Sequence, residues 1–105
     1  MNAVELINKL PSAFNPQAAS GTDCIIQFNV STPMYAVIKD GVCEVAEGSA
    51  NASDIAITMD DADLVAMMRG ELNGMTAFMT GKLQVDGDLV LAQKLASLFD
   101  KNKLV

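Results

Sequence analysis

Asp40-Gly41, set between Met34–Lys39 and Val42–Glu47, restricts the fold of this chain more than any other feature. Asp-Gly between two strand-like runs favours a two-residue hairpin turn, whose central positions need positive φ. Such a turn fixes the register. It sets Lys39 against Val42 and Val37 against Glu44 on one face, and Ile38 against Cys43 and Ala36 against Val45 on the other. The second face is wholly apolar and is therefore the expected core side.

Alternation continues on both sides of the hairpin. Cys24, Ile26, Phe28 and Val30 alternate with Asp23, Gln27 and Asn29, which predicts a half-buried strand. Ser31-Thr32-Pro33 supplies the turn into the hairpin, and Gly48–Ser53 reads as a small polar loop. Ile55, Ile57 and Met59 form a fourth strand. Leu83 and Val85 face one way in a short fifth strand, with Lys82, Gln84 and Asp86 opposite.

The remaining segments have helical spacing. Val4, Leu6, Ile7, Leu10 and Phe14 mark a first helix, which Pro11 is expected to end or kink near Leu10. Asn15 to Gly21 is a loop. Asp60 is the expected N-cap of a helix from Asp61 to Arg69, with Asp63 favouring its dipole and Met59 stapled to Leu64. Gly70 closes it. Asn73 caps a short helix carrying Met75, Phe78 and Met79, which ends at Gly81. Asp88 caps the last helix, whose stripe is Leu91, Ala92, Leu95, Leu98 and Phe99, widened by Leu89 and Val90. Grouped strands followed by helices predict an α+β fold, with helices on one face of a largely antiparallel, twisted sheet.

The 105 residues suit one domain, spanning 1–105, and half of them are apolar, as a folded protein requires. The net charge is −6 and the seven basic residues are scattered. Nucleic acid is excluded as a partner, because phosphate binding rests on clustered Lys and Arg. Strong docking on anionic lipid is disfavoured for the same reason, leaving at most transient membrane contact. No apolar run approaches the ~20 residues of a membrane span. The opening segment lacks a basic region and carries Glu5, so no secretory signal is read and a cytoplasmic location is expected. Cys24 and Cys43 read as small buried hydrophobes, although a disulfide stays open on sequence.

No enzyme is expected. Histidine is absent, and with it the commonest general base, nucleophile activator and metal ligand. The cysteines have no CxxC spacing, and the glycines fit neither phosphate-binding loop. Asp60, Asp61 and Asp63 are the one dense carboxylate cluster; capping and a solvated surface account for them without a metal. No cofactor is implied.

What remains is a surplus of apolar side chain. Seven methionines are present, and Met59, Met67, Met68, Met75 and Met79 lie close together. Leu64, Val65 and Met68 form an ordinary core stripe, with Met67 off it. Two readings fit: methionines filling a core, or methionines lining a cavity for an apolar ligand, to which they adapt at low cost.

The stretch Asn73-Gly-Met75-Thr-Ala-Phe78-Met79-Thr-Gly81-Lys82-Leu83-Gln-Val85-Asp-Gly87-Asp88, followed by Leu91-Ala92-Gln-Lys94-Leu95, resembles the C-terminal signature of the sterol carrier protein 2 (SCP2) sterol-binding domain family. Asp54–Met59, the helix after Asp60 and the Lys39-Asp40-Gly41 hairpin fit the same pattern. The resemblance covers nearly the whole chain and is most specific over residues 54–98. It implies a five-stranded sheet with helices over one face, enclosing an apolar tunnel that holds a lipid such as a fatty acid or sterol. It further implies that Met67, Met68, Leu72, Met75, Phe78, Met79, Leu89, Leu91, Leu95, Leu98 and Phe99 line or gate the tunnel. Ile26, Phe28, Ile38, Ile57 and Met59 would form its floor. Lys82, Lys94 and Tyr35 are candidates to orient a polar head. The chain departs from the family at Gly74, often Pro, and at Gln84 and Asp86, where basic residues are common. The latter weakens acyl-CoA as a ligand. The C-terminus is not of the peroxisomal Ser-Lys-Leu type, which fits a stand-alone, bacterial-type member. The alternative function is an accessory module of this fold that supports a partner enzyme.

Overall fold

The computed structural model describes residues 2–18 and 21–104, with the side chains of Gln93, Ala96 and Lys101 left aside. The expected order is observed: α1 (Ala3–Ala13), β1 (Cys24–Asn29), β2 (Met34–Lys39), β3 (Val42–Glu47), β4 (Ile55–Thr58), α2 (Asp61–Met68), α3 (Gly74–Met79), β5 (Gln84–Gly87) and α4 (Leu89–Leu98). A 3₁₀ turn at Lys101–Lys103 follows.

The sheet runs β3-β2-β1-β4-β5. All neighbours are antiparallel except β1 and β4, which are parallel. The hairpin has the expected register, Ile38 opposite Cys43 and Ala36 opposite Val45. Asp40 (φ 53°) and Gly41 (φ 75°) both take the left-handed conformation that lets the turn follow the strand twist.

Inward residues of β1, β2 and β4 alternate as the pattern requires: Ile26, Phe28, Ala36, Ile38, Ile55 and Ile57 are fully buried. The four helices join the same apolar cluster, so they roof one face of the sheet. α1 contributes Leu6, Ile7 and Leu10 and lies against β3 and α2. α4 contributes Leu91, Leu95 and Leu98 and lies against β4 and β5.

Three sequence expectations are refined. Pro11, expected to end or kink α1, does not end it, and the helix continues to Ala13. Tertiary packing outweighs the lost hydrogen bond, because Ala13 and Phe14 are buried and anchor the helix end to α4. Asn15 N–H donates to the Leu98 carbonyl (2.7 Å), Asp100 N–H donates to the Ala13 carbonyl (2.8 Å), and the Phe14 and Phe99 rings pack at 5.9 Å. Asp60 is the N-cap of α2, as expected, although its carboxylate makes no capping bond. The carboxylate of the next residue, Asp61, instead accepts the Ser31 N–H (2.8 Å) and the Ser31 hydroxyl.

The third is Gln27. It points to the outward face, as alternation requires, yet is buried at 6% exposure. Residues 48–54, which carry the chain from β3 across to β4, cover it. Ala50 N–H donates to Gln27 Oε1 (2.9 Å), and Gln27 Nε2 donates to the Met34 and Gly48 carbonyls, both 3.2 Å. Asp54 N–H donates to the Ile25 carbonyl (2.9 Å), and the Asp54 carboxylate accepts the Ile25 N–H (2.8 Å). The expected loop is thus a strap bonded to the sheet.

Cys24 and Cys43 are both free and buried. Each is opposite Ile38, so they lie two strands apart. Two strand spacings of about 4.8 Å exceed the ~7 Å reach of a disulfide. Burial pushes both thiols up, Cys43 to about 11, with Cys24 and then Glu44 adding to it.

Candidate ligand-binding site

The candidate residues fall into two sets. Phe28, Ile38, Ile57 and Met59 on the sheet, and Leu91, Leu95, Leu98 and Phe99 at the other end of the chain, are buried in one apolar cluster. Met67, Met68 and Leu72 are half-buried and pack against that cluster. These residues meet because the sheet's inward alternation faces the i, i+4, i+7 stripe of α4.

The second set is displayed outward. Met75 is 61% exposed, Phe78 48%, Met79 77%, Leu89 56% and Val90 61%. Met75, Phe78 and Met79 share one face of α3 by their i, i+3, i+4 spacing. That helix buries one residue, Ala77. Asn73 starts α3 by accepting the Met75 and Thr76 N–H groups at 2.8 and 3.2 Å. Gly70 (φ 82°) and Gly81 (φ 80°) bracket it with left-handed turns that residues bearing a Cβ rarely make. Asp88 starts α4 in the same way, accepting Val90 and Leu91 N–H at 2.9 and 3.2 Å.

Two open clefts flank the β4–β5 pair. One of about 320 Å³ lies at the Thr58 end and is lined by Met59, Asp60, Asp63, Thr80, Lys82 and Gln84 among others. One of about 130 Å³ lies at the Asp54 end and is lined by Cys24, Asp88, Val90, Leu91 and Lys94 among others. Of the three head-group candidates, Lys82 and Lys94 each border a cleft. Tyr35 does not; it is paired with Gln27 and lies on the outward face of the sheet, away from the roof. Thr58, Thr80 and Gln84 border the larger cleft and carry no sequence signal that distinguishes them from ordinary surface residues. Among the described residues no group of three or more Cys, Asp or Glu is placed to hold a metal ion. Nor is any described helix long and apolar enough to cross a membrane.

The site is thus set between a five-stranded sheet and the helices that roof it around an apolar interior. Residues 5–100 match the SCP-2 sterol transfer family, and the chain belongs to that family. Sterol carrier protein 2 from Bos taurus is 44% identical over 61 residues, covering 58% of this chain and 11% of that protein. Peroxisomal multifunctional enzyme A from Dictyostelium discoideum is 31% identical over 102 residues, 95% of this chain and 21% of that protein. The chain therefore spans a small part of these relatives. The solution structure of palmitated SCP2L2 from Aedes aegypti shares the fold, with a TM-score of 0.68 at 23% identity, covering 92% of this chain and 93% of that one.

Proposed function

We propose that residues 1–105 form one non-catalytic domain that binds and carries an apolar lipid. The ligand chain would lie in a tunnel between the inward face of the sheet and α4. α3 and the first turn of α4 would form its gate. The observation that carries this reading is the outward display of Met75, Phe78, Met79, Leu89 and Val90 beside a wholly apolar interior. α3 can move at low cost, because one of its six residues is buried and left-handed glycines bracket it. The exposed side chains would then follow the ligand inward.

The energetics suit a fatty chain. Burying about ten methylenes at about 0.8 kcal/mol each gives about 8 kcal/mol before association and ordering costs. Micromolar affinity corresponds to about −8 kcal/mol, so binding near or somewhat weaker than that is expected. The palmitated Aedes aegypti relative supports a fatty acyl group as the ligand class. Lys82 or Lys94, bordering the clefts, would meet a polar head.

Native mass spectrometry of the protein purified from cells, followed by organic extraction, tests the reading. The expected result is a co-purified lipid, and a fluorescent fatty acid displaced by it. Met75→Asp should keep the fold and weaken fatty-acid binding about tenfold, since a charge at the gate opposes apolar entry. An apo mass together with no fatty-acid binding would overturn the carrier reading. It would favour the second one, an accessory module of a larger enzyme assembly. That second reading is supported by the relatives in which the matched part is a fifth to a quarter of a longer chain, such as hydroxysteroid dehydrogenase-like protein 2 of Xenopus tropicalis at 24%.

A further inference from the structure

The methionines divide sharply by environment. Met34 and Met59 are buried in the core, and Met67 and Met68 are half-buried. Met75 and Met79 are exposed at 61% and 77%, one turn apart on the same face of α3. That helix, Gly-Met-Thr-Ala-Phe-Met, has no charged residue, so its outward face owes its apolar character to Met75, Phe78 and Met79. Both thiols are buried and held protonated, the form that peroxide attacks slowly.

We propose that Met75 and Met79 form a site of reversible oxidation, at which a peroxide converts the apolar face of α3 into a polar one and lowers lipid loading. The inference rests on the carrier reading for its consequence and on exposure for its chemistry. In each step the peroxide O–O bond breaks and one oxygen bonds to the thioether sulfur. The sulfur loses two electrons and becomes a sulfoxide, while the peroxide is reduced to water. A thiol-dependent methionine sulfoxide reductase reverses this, the oxygen leaving as water and the reductant's thiols closing to a disulfide. The sulfoxide adds a strong acceptor where an apolar chain would pass. Both side chains point away from the core and Asn73 still caps the helix, so the fold is kept.

Trypsin separates the two kinds of methionine. Cleavage after Arg69 and Lys82 releases residues 70–82, whose methionines are Met75 and Met79. Met59, Met67 and Met68 fall in residues 40–69, and Met34 in residues 10–39. Hydrogen peroxide titrated onto the folded protein should add oxygen to the 70–82 peptide about tenfold faster than to the peptide holding Met34. Oxidised protein should keep its thermal midpoint, elute earlier from a phenyl hydrophobic-interaction column, and bind a fluorescent fatty acid about tenfold more weakly. Treatment with both sulfoxide reductases and a dithiol should restore retention and binding. The double variant M75L/M79L, compared with its own untreated state, should change affinity by less than about twofold on peroxide treatment. Oxidation of the 70–82 peptide no faster than of the other two overturns the site. Unchanged fatty-acid affinity after its oxidation overturns the control of loading. Untreated protein that binds no fatty acid defeats the carrier reading instead, and peptide order and column retention then decide the oxidation site alone.

Discussion

Strands β1 to β4 and the segment α3–β5–α4 are both rich in apolar residues, but they dispose of them in opposite ways. In the first region every inward side chain finds a partner across a ladder, and Phe28, Ile38, Ile55 and Ile57 lose essentially all exposure. In the second, Leu91, Leu95 and Leu98 are buried while Met75, Phe78, Met79, Leu89 and Val90 remain in solvent. Hydrogen-bonded register fixes which side a strand residue faces, so a strand cannot hold apolar side chains in reserve without misplacing a whole face. A six-residue helix anchored by one alanine has no such constraint. Stability is therefore concentrated in the sheet, and adaptability in the helical segment.

Two phenylalanines provide the strongest test of that division. Phe28→Ala opens a cavity on the inward face of the sheet and should cost about 3–5 kcal/mol in urea or thermal unfolding. Phe78→Ala removes a ring that is about half in water and should change stability by about 0.5 kcal/mol or less. Lipid binding should reverse the comparison for Phe78, falling although the fold is intact. Equal stability losses at the two positions would mean that α3 is as much a structural element as β1, and the division would fail.

The outward face of the sheet sharpens the comparison at an intermediate scale. Gln27→Ala leaves the Ala50 N–H and the Met34 and Gly48 carbonyls without their partner. The expected cost is about 1–3 kcal/mol, and amide exchange should rise at Ala50 before it rises in β1. Exchange that rises evenly through the sheet would show that the strap contributes no separate unit.

These two tests also mark where the sequence was readable. The Asp40-Gly41 hairpin, its register, the caps at Asn73 and Asp88 and the stripe of α4 follow from local pattern, because each depends on neighbours within a few residues. Gln27 does not follow. Alternation assigns it to the outward face correctly, but pattern cannot tell water from a strap that arrives from residues 48–54. The parallel pairing of β1 with β4 is hidden for the same reason, since it depends on where that strap crosses. Pro11 misleads in the opposite direction: its local rule is sound, but contacts of Phe14 with Phe99, far along the chain, outweigh it. The candidate site divides along the same line. The inward face of the sheet and the α4 stripe were legible as apolar faces. The outward display of α3 was not, because Met75, Phe78 and Met79 have the spacing of a core stripe and face solvent.

The smallest expected effect tests how α2, which leads from the strands to the helical segment, is tied to the sheet. Asp61, at the start of α2, accepts two hydrogen bonds from Ser31 in the β1–β2 turn. The hydroxyl bond first, and then the backbone N–H, hold its carboxyl below the ordinary value of 3.8. A depressed folded pKa means that the unfolded chain takes up the proton first. The contribution is thus complete above the ordinary carboxylate value and is lost as pH falls through the folded one. Wild-type protein should lose a small increment of stability on that acid limb, which Asp61→Asn lacks and Ser31→Ala reduces, the Ser31 backbone N–H still holding the carboxylate. The increment is small because the pair is close to solvent. At neutral pH both variants should be slightly destabilised, and the double variant by less than their sum, since the two changes weaken one shared contact. Additive losses would show that Asp61 stabilises α2 through its helix dipole instead, and that the turn and α2 are joined through the core alone.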